Sequence, residues 1–340
     1  MPPHPPIPLA RPDLTTADEQ AVYTTLAHNP WFDADLLDQW EQAWSVLWDR
    51  PAVAFADATE LIAALKRLLG WPSGAGIVAD ALLPPAWREA CADAWLHPHW
   101  HDVDPQTGGL ATSATRLIPP GSGAAVAGIW RHPFGLPTRP ELAWDPPPWL
   151  LEEISSIIVP LPGCGWGGAQ IVHFDGNGIL PVGLGTLLLS NNAALVADLR
   201  RQRQQPPGSA ACALGLALLA RLDTILARRQ ELAGRYLALR TRGRFQLPLA
   251  EVARGWEGFF LAFADPADRD ALQTFLAQAG IDAAAPVWYQ PEAVAGQLPG
   301  VRRFLASALA IPFYPALAEG MQKRVINRVH RWVARRERDG

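Results

Sequence analysis

Apolar positions along the chain fall into two alternating rhythms. A spacing of three to four residues marks a helix from Thr16 to about Ala27, opened by a Thr16-x-x-Glu19 capping box, and a second from Asp33 to about Leu47. Short apolar runs then alternate with further helical stretches. Ala52 to Ala56 is strand-like, Thr59 to Leu69 helical, Gly76 to Ala79 a strand and Pro84 to Ala94 a helix, followed by strands near His97 to Asp102 and Val126 to Trp130. Such alternation predicts a mostly parallel sheet with helices packed on its faces.

Beyond residue 160 the pattern continues. Strands are expected at Gln170 to Phe174 and Thr186 to Ser190, with a helix from Asn192 to Arg203. One long helical run from Ser209 to Arg240 reads as a link between two domains, residues 1–240 and 241–340. The second is smaller and α+β, with strands at Phe259 to Phe263 and Ala285 to Trp288 and helices at Asp268 to Ala279 and Gly320 to Arg336. No internal repeat is evident.

Composition narrows the class. Of 340 residues 49% are hydrophobic and 18% charged, and the net charge is −4, which argues for a globular protein and against a general nucleic-acid binder. The start, Met-Pro-Pro-His-Pro-Pro, lacks a basic and apolar leader, and the apolar stretch Ala210 to Ala220 falls short of the roughly 20 residues that span a bilayer. A cytoplasmic protein without membrane partners is the expectation. Cys91, Cys164 and Cys212 are too widely spaced for a redox or zinc pair and read as free thiols.

Several patterns invite a chemical reading, each with a plainer one beside it. His97, His99 and His101 share one face of a strand and are the best metal candidates, although no metal is expected. Gly163-x-Gly165-x-x-Gly168 has the spacing of a dinucleotide fingerprint but precedes a strand where a helix is needed, so it marks tight turns. Trp40, Trp44 and Trp48 form a helical stripe suited to the core or to a dimer interface. Arg324, Arg328, Arg331, Arg335, Arg336 and Arg338 read as a solvated basic face.

Four stretches in sequence order carry a more specific signal: Ile7-Pro-Leu-Ala-Arg-Pro-Asp13, His101-Asp-Val-Asp-Pro-Gln-Thr107, the helical run Ala213 to Tyr236, and Ala310-Ile-Pro-Phe-Tyr-Pro315 before Arg324-Val-Ile326. With them the chain resembles the DegT/StrS sugar aminotransferases, fold type I pyridoxal-phosphate enzymes. The resemblance implies a fold type I α/β architecture, with a mostly parallel large domain and a smaller α+β C-terminal domain. It also implies a two-fold dimer, either with itself or with an active relative.

The active-site positions that the resemblance implies are altered one after another. The family's Ser-Phe-His-x-x-Lys segment corresponds to His173-Phe-Asp-Gly-Asn-Gly178, which puts Gly178 at the Schiff-base lysine and His173 at a phosphate-binding serine. A guanidinium cannot replace that amine. The chain has 27 arginines but only two lysines, Lys66 and Lys323, each more than a hundred residues away. Some sugar dehydratases that resemble the family carry histidine at the lysine position itself; His173 lies five residues earlier, and strand alternation would face it differently.

The phosphate turn corresponds to Asp57-Ala58-Thr59, whose added carboxylate repels an anion at a helix start. Glu153 of Glu152-Glu153 stands at the family's pyridine-nitrogen aspartate. Gln204 to Cys212 is too short for the segment that reaches the neighbouring subunit, and the prolines of residues 140–148 break an expected helix.

Two expectations follow. One is a non-catalytic binding or scaffold subunit, a pseudoenzyme with no covalently bound pyridoxal phosphate and a vestigial pocket around Asp57, Ala58, Thr59, Glu153, His173 and Gly178, plugged by Trp130 and Trp166. The other is a lysine-free enzyme with an open polar cleft, using His173, Asp175, Glu153 or the His97 to His101 strand for its chemistry.

Overall fold

The computed structural model describes residues 5–28, 31–111, 116–117, 121–139, 149–248, 253–286 and 297–339. The expected strand at Ala285 to Trp288 and the proline stretch 140–148 lie wholly or partly outside them.

The chain opens with helices α1 (Thr16–His28) and α2 (Ala34–Trp48), then strand β1 (Ala52–Phe55), α3 (Ala58–Leu69), β2 (Gly76–Asp80), α4 (Pro85–Asp93) and β3 (His97–His101). Next come β4 (Arg116–Leu117), β5 (Ala125–Arg131), a 3-10 turn (Pro133–Gly135), β6 (Trp149–Glu153), β7 (Ala169–His173) and β8 (Thr186–Leu189). Helices α5 (Ala193–Gln202), α6 (Ser209–Ala220) and α7 (Leu222–Leu237) lead to β9 (Phe245–Gln246), β10 (Phe260–Phe263), α8 (Pro266–Ala277), α9 (Pro299–Ser307), β11 (Ala308–Ala310) and α10 (Glu319–Asp339).

The first eight strands form one sheet in the order β1-β8-β7-β6-β5-β2-β3-β4. Pairs β2–β3, β2–β5, β5–β6 and β6–β7 are parallel, while β8 runs against both of its neighbours and β4 against β3. Alternation along each strand divides the sheet between two cores. Val53, Phe55, Ile171 and Leu188 point to the face covered by α3, α4 and α5; Ala52, Ala54, Val172, Leu187 and Leu189 point to the face covered by α2 and α6.

Trp40, Trp44 and Trp48 all belong to that second core, so the aromatic stripe packs inward against Phe174 and is not left for a partner. A third core collects Ile7 of the N-terminal arm with Leu232, Tyr236, Leu261, Leu309 and Val329 around the small sheet β11-β10-β9.

Two local expectations change. The box that opens α1 sits one residue earlier than expected: Thr15 N–H donates to Asp18 Oδ2 at 2.7 Å, and Asp18 N–H donates to Thr15 Oγ1 at 3.3 Å. Both pairs offer a hydroxyl and a carboxylate at capping-box spacing, and Asp18 wins because Arg221 grips its carboxylate from α7's start. The long linking helix is broken at Arg221, with α6 and α7 bent by 63°. Arg221 lets the chain turn where its guanidinium can reach Asp13 and Asp18. Past the bend, α7 bridges the cores, placing Ile225 in the second and Tyr236 in the third. Among the described residues no single helix is long and apolar enough to cross a membrane.

Candidate functional site

The carboxyl ends of β2, β5, β6 and β7 converge, and parallel α/β sheets place ligands beyond such ends. Here they surround a cleft of about 350 Å³. Pro84, Pro85 and Ala86 at the start of α4 form one wall; Arg131 and His132 after β5, Glu153 and Ser155 after β6, and His173, Asp175 and Asn177 after β7 form the floor. Glu257 closes the opposite side with Pro286. A larger trough of about 1070 Å³ runs along α2 and α6, but it is an open groove of Val46, Leu216 and Leu219 edged by the Glu41–Arg200 ion pair, far from these strand ends.

Glu257 arrives on a strap, residues 254–257, held against the 3-10 turn. Gly255 N–H donates to Gly135 O at 2.8 Å, and a side chain at Gly255 would collide with the backbone of Ser156 and Ile157. Trp256 follows with φ 51°, a left-handed conformation that turns its ring into the third core and Glu257 toward the cleft. Sequence reasoning missed Glu257 because nothing in Arg-Gly-Trp-Glu predicts this threading; the tight glycine was the one cue.

The paired glutamates on β6 do opposite things. Glu152 is fully buried and its carboxylate is completely engaged, accepting from Gly165 N–H (2.7 Å), Gly167 N–H (3.1 Å), Gln170 Nε2 (2.9 Å) and His132 Nε2 (2.9 Å). Thr138 N–H donates to His132 Nδ1 at 3.0 Å, which fixes the imidazole proton on Nε2. Burial would raise the Glu152 carboxyl, but the bonds from His132 and Gln170 outweigh it and hold the group below its ordinary range. The Gly163-to-Gly168 loop therefore wraps an internal carboxylate with its free amides and leads into β7, as the reading against a dinucleotide fingerprint requires.

Glu153 is 2% exposed and faces the cleft. Its Oε1 accepts from Ser155 N–H (3.2 Å) and from the Ser155 hydroxyl, which in turn accepts His173 N–H at 2.8 Å. Burial pushes its carboxyl up, and the Ser155 bonds offset this only in part. Glu257 is half-buried and its carboxylate has no hydrogen-bond partner among the described residues; burial, Asp175 and Glu153 push its carboxyl up to about 7. Three carboxyl groups thus face one cavity.

The structure brings Glu153, His173 and Asp175 together: His173 lines the same cleft as Asp175 and Asn177, while Gly178 does not line it. β7 ends at His173, so strand alternation no longer governs the residues after it. The ring sits edge-on to the buried Trp87 at 6.2 Å, its Nδ1 is buried without a partner, and burial lowers its pKa against the pull of Asp175 and Asp57. Gly178 lies just outside the lining; its carbonyl accepts from Arg229 Nη2 at 3.3 Å.

Asp57, Ala58 and Thr59 stay at the start of α3, outside the cleft lining. Asp57 caps that helix, accepting Glu60 N–H at 2.9 Å, so a carboxylate of the chain already occupies the anion-favouring end. The short connection after α5 runs beside this helix, with Ala56 N–H donating to Gln205 O at 3.0 Å. Neither lysine reaches the cleft: Lys66 holds Ala94 O and Ser73 Oγ, and Lys323 pairs with Glu319.

Trp130 and Trp166 do not plug the cleft. They stack edge-to-face at 6.0 Å, with Trp130 Nε1 bonded to Thr138 Oγ1, and neither lines the cavity. On β3 the metal candidates His99 and His101 are buried and His97 is half-buried. His99 Nε2 meets Ser122 Oγ at 3.0 Å, while the neighbouring Asp102 is spent on Gly300 and Val301 N–H at the start of α9, and Asp104 on Gln106 and Thr107 N–H. Among the described residues no group of three His, Cys, Asp or Glu side chains could hold a metal ion.

Comparison with known proteins agrees with this architecture. Residues 209–330 match the model of the DegT/DnrJ/EryC1/StrS aminotransferase family. No curated protein matches the sequence significantly. Among solved structures, the aminotransferase TlmJ from Streptoalloteichus hindustanus superposes with a TM-score of 0.78 at 20% identity, covering 96% of this chain and 99% of that one. PseC of Helicobacter pylori, an aminotransferase of pseudoaminic acid biosynthesis, gives 0.78 at 15% identity, with 96% and 99% covered. The sugar aminotransferase Spr1654 of Streptococcus pneumoniae in its PMP form gives 0.79 at 14% identity, with 97% and 99% covered. The fold is that of the fold type I aminotransferases.

Proposed function

We propose that this chain, matched to the DegT/DnrJ/EryC1/StrS aminotransferase family over residues 209–330 and carrying a sugar-aminotransferase-like fold, is a non-catalytic binding subunit that has given up pyridoxal chemistry but kept the cleft. The observation that carries this reading is that neither lysine of the chain reaches the cleft, which leaves no amine there for a covalent link to the cofactor. On the resemblance, Gly178 stands where the amine belongs, and an added Cβ there would meet Asp175 Oδ1 at 3.3 Å.

The residues present do not fit pyridoxal phosphate. No amine is available for a covalent link, Asp57 fills the helix start where a phosphate would sit, and Glu153, Asp175 and Glu257 oppose a second negative charge. The cleft suits a neutral or cationic polar ligand better than an anionic cofactor. An open cleft also favours a binding role over a purely structural one.

A second reading is favoured by the cleft, which is open and polar as expected of a lysine-free enzyme. Glu257, at about 7, shares the cleft with His173 and Asp175, so a carboxyl poised near neutrality faces a second ionisable group, as general acid–base chemistry requires. On that reading the chain is a lysine-free enzyme.

Titrating the purified protein with pyridoxal phosphate tests the proposal, because a ligand that binds only the native state raises apparent stability by mass action. The expected result is no yellow lysine-linked absorbance and no stabilisation. A yellow preparation that borohydride fixes to a lysine would overturn it. Saturable stabilisation without the colour would mean that the cleft accepts the molecule non-covalently, and would favour the second reading.

Self-association is supported by apolar side chains left in solvent around α1 and α2: Tyr23, Leu26, Phe32, Val46 and Trp31, the last 85% exposed. A homodimer, or a pair with an active relative, would cover them. Sedimentation of the pure chain at twice its monomer mass is the expected outcome, and a monomer at micromolar concentration would rule out the homodimer. The buried Cys91 and Cys212 thiols, pushed up to about 12 by burial, suit the reducing cytoplasm in which we place the protein.

A further inference from the structure

At the Arg254 end of the 254–257 strap lies a second, smaller cavity of about 130 Å³, bounded by Gln106, Leu136, Gln246, Arg254 and Phe260. Its chemistry is opposite to that of the cleft. No carboxylate lines it among the described residues, and its one charged group is the Arg254 guanidinium.

Arg254 is held but not paired. Its Cζ lies 4.8 Å from the centroid of the Trp256 ring, which fixes the plane of the guanidinium. Its Nε is sealed from solvent and has no acceptor. The other deeply placed arginines are engaged: Arg131 bonds Asp80 and Gly108 O, and Arg229 donates to the carbonyls of Trp256 and Glu257. Burial lowers the Arg254 pKa to about 10 with no neighbouring charge acting against it. A half-buried cation without a counter-ion carries a desolvation cost, and structures normally supply it with a partner.

We propose that the cavity beside Arg254 binds a small oxyanion, a carboxylate or phosphate group, through the guanidinium fork with the side-chain amides of Gln106 and Gln246 at its border. The volume admits one such group, and the planar fork matches two of its oxygens. Neither glutamine side chain makes another hydrogen bond among the described residues, so both amides are available. The site stands on different residues from the cleft and does not depend on how the cleft is used.

Isothermal titration with inorganic phosphate and, separately, acetate, at constant ionic strength, tests the site and tells the two oxyanions apart. The expected result is saturable one-site binding of one probe to the wild-type chain, weakened at least tenfold in Arg254→Gln. Gln106→Glu places a carboxylate at the border without touching the arginine and should weaken binding as strongly, so the test survives if the arginine variant fails to fold. Equal binding by wild type and a folded variant would mean an adventitious ion only and would overturn the proposal, as would the absence of saturable binding by both probes.

Discussion

Replacing Glu152 with alanine is expected to destabilise the protein by about 3–5 kcal/mol, because several buried donors, each costing about 1–3 kcal/mol when left unsatisfied, lose their acceptor together. Four donors converge on this carboxylate, and alanine would strand them all: two glycine amides, the Gln170 amide and the His132 Nε2–H. Urea unfolding monitored by tryptophan fluorescence measures the loss. Because the folded carboxyl sits below its ordinary range, its contribution is present above the unfolded value of about 4.3 and is lost as pH falls through the folded value. Wild type should therefore converge on Glu152→Ala as the solution is acidified, and a stability difference that does not change with pH would contradict this assignment.

Glu257→Gln should act in the opposite direction, raising stability at pH 8 by about 1–3 kcal/mol, as a pKa shift of a few units at a half-buried group implies. Its carboxyl is raised from 4.5 to about 7 in the folded protein, so the native state holds a proton that the unfolded chain releases earlier. The penalty is absent at pH 4, grows as pH rises toward 7 and is full above it. The variant and wild type should then melt alike near pH 4 and diverge in alkaline solution. Equal melting temperatures at pH 8 would show that Glu257 is better solvated than its position beside Asp175 and Glu153 indicates.

The sheet was legible in the sequence because its strands are short, β-rich and separated by capped helices. Asp33 caps α2 by accepting from Asp35 and Leu36 N–H, and Asp57 caps α3, so both boundaries could be placed to within a residue. The break at Arg221 was not visible. Leu218, Leu222 and Ile225 keep helical spacing across the bend, and the cause is an ion pair to Asp13 and Asp18, some two hundred residues earlier. Strand β6 was hidden because only five residues follow the proline stretch. Of the site, Glu153, His173 and Asp175 could be named through the resemblance to the aminotransferase motifs, whereas Glu257 and Arg254 depend on a strap whose path is set by tertiary contact with Gly135 and Ser156.

Asp57 also bears on how this lineage could change. On the proposed reading, a single substitution to lysine at position 178 would place an amine beside the cleft while the chain's own carboxylate still capped the start of α3. Removing Asp57 to reopen that end would give up a helix cap, at a cost of about 1 kcal/mol, before any cofactor repaid it. On that reading, neither substitution taken alone would give a working cofactor site.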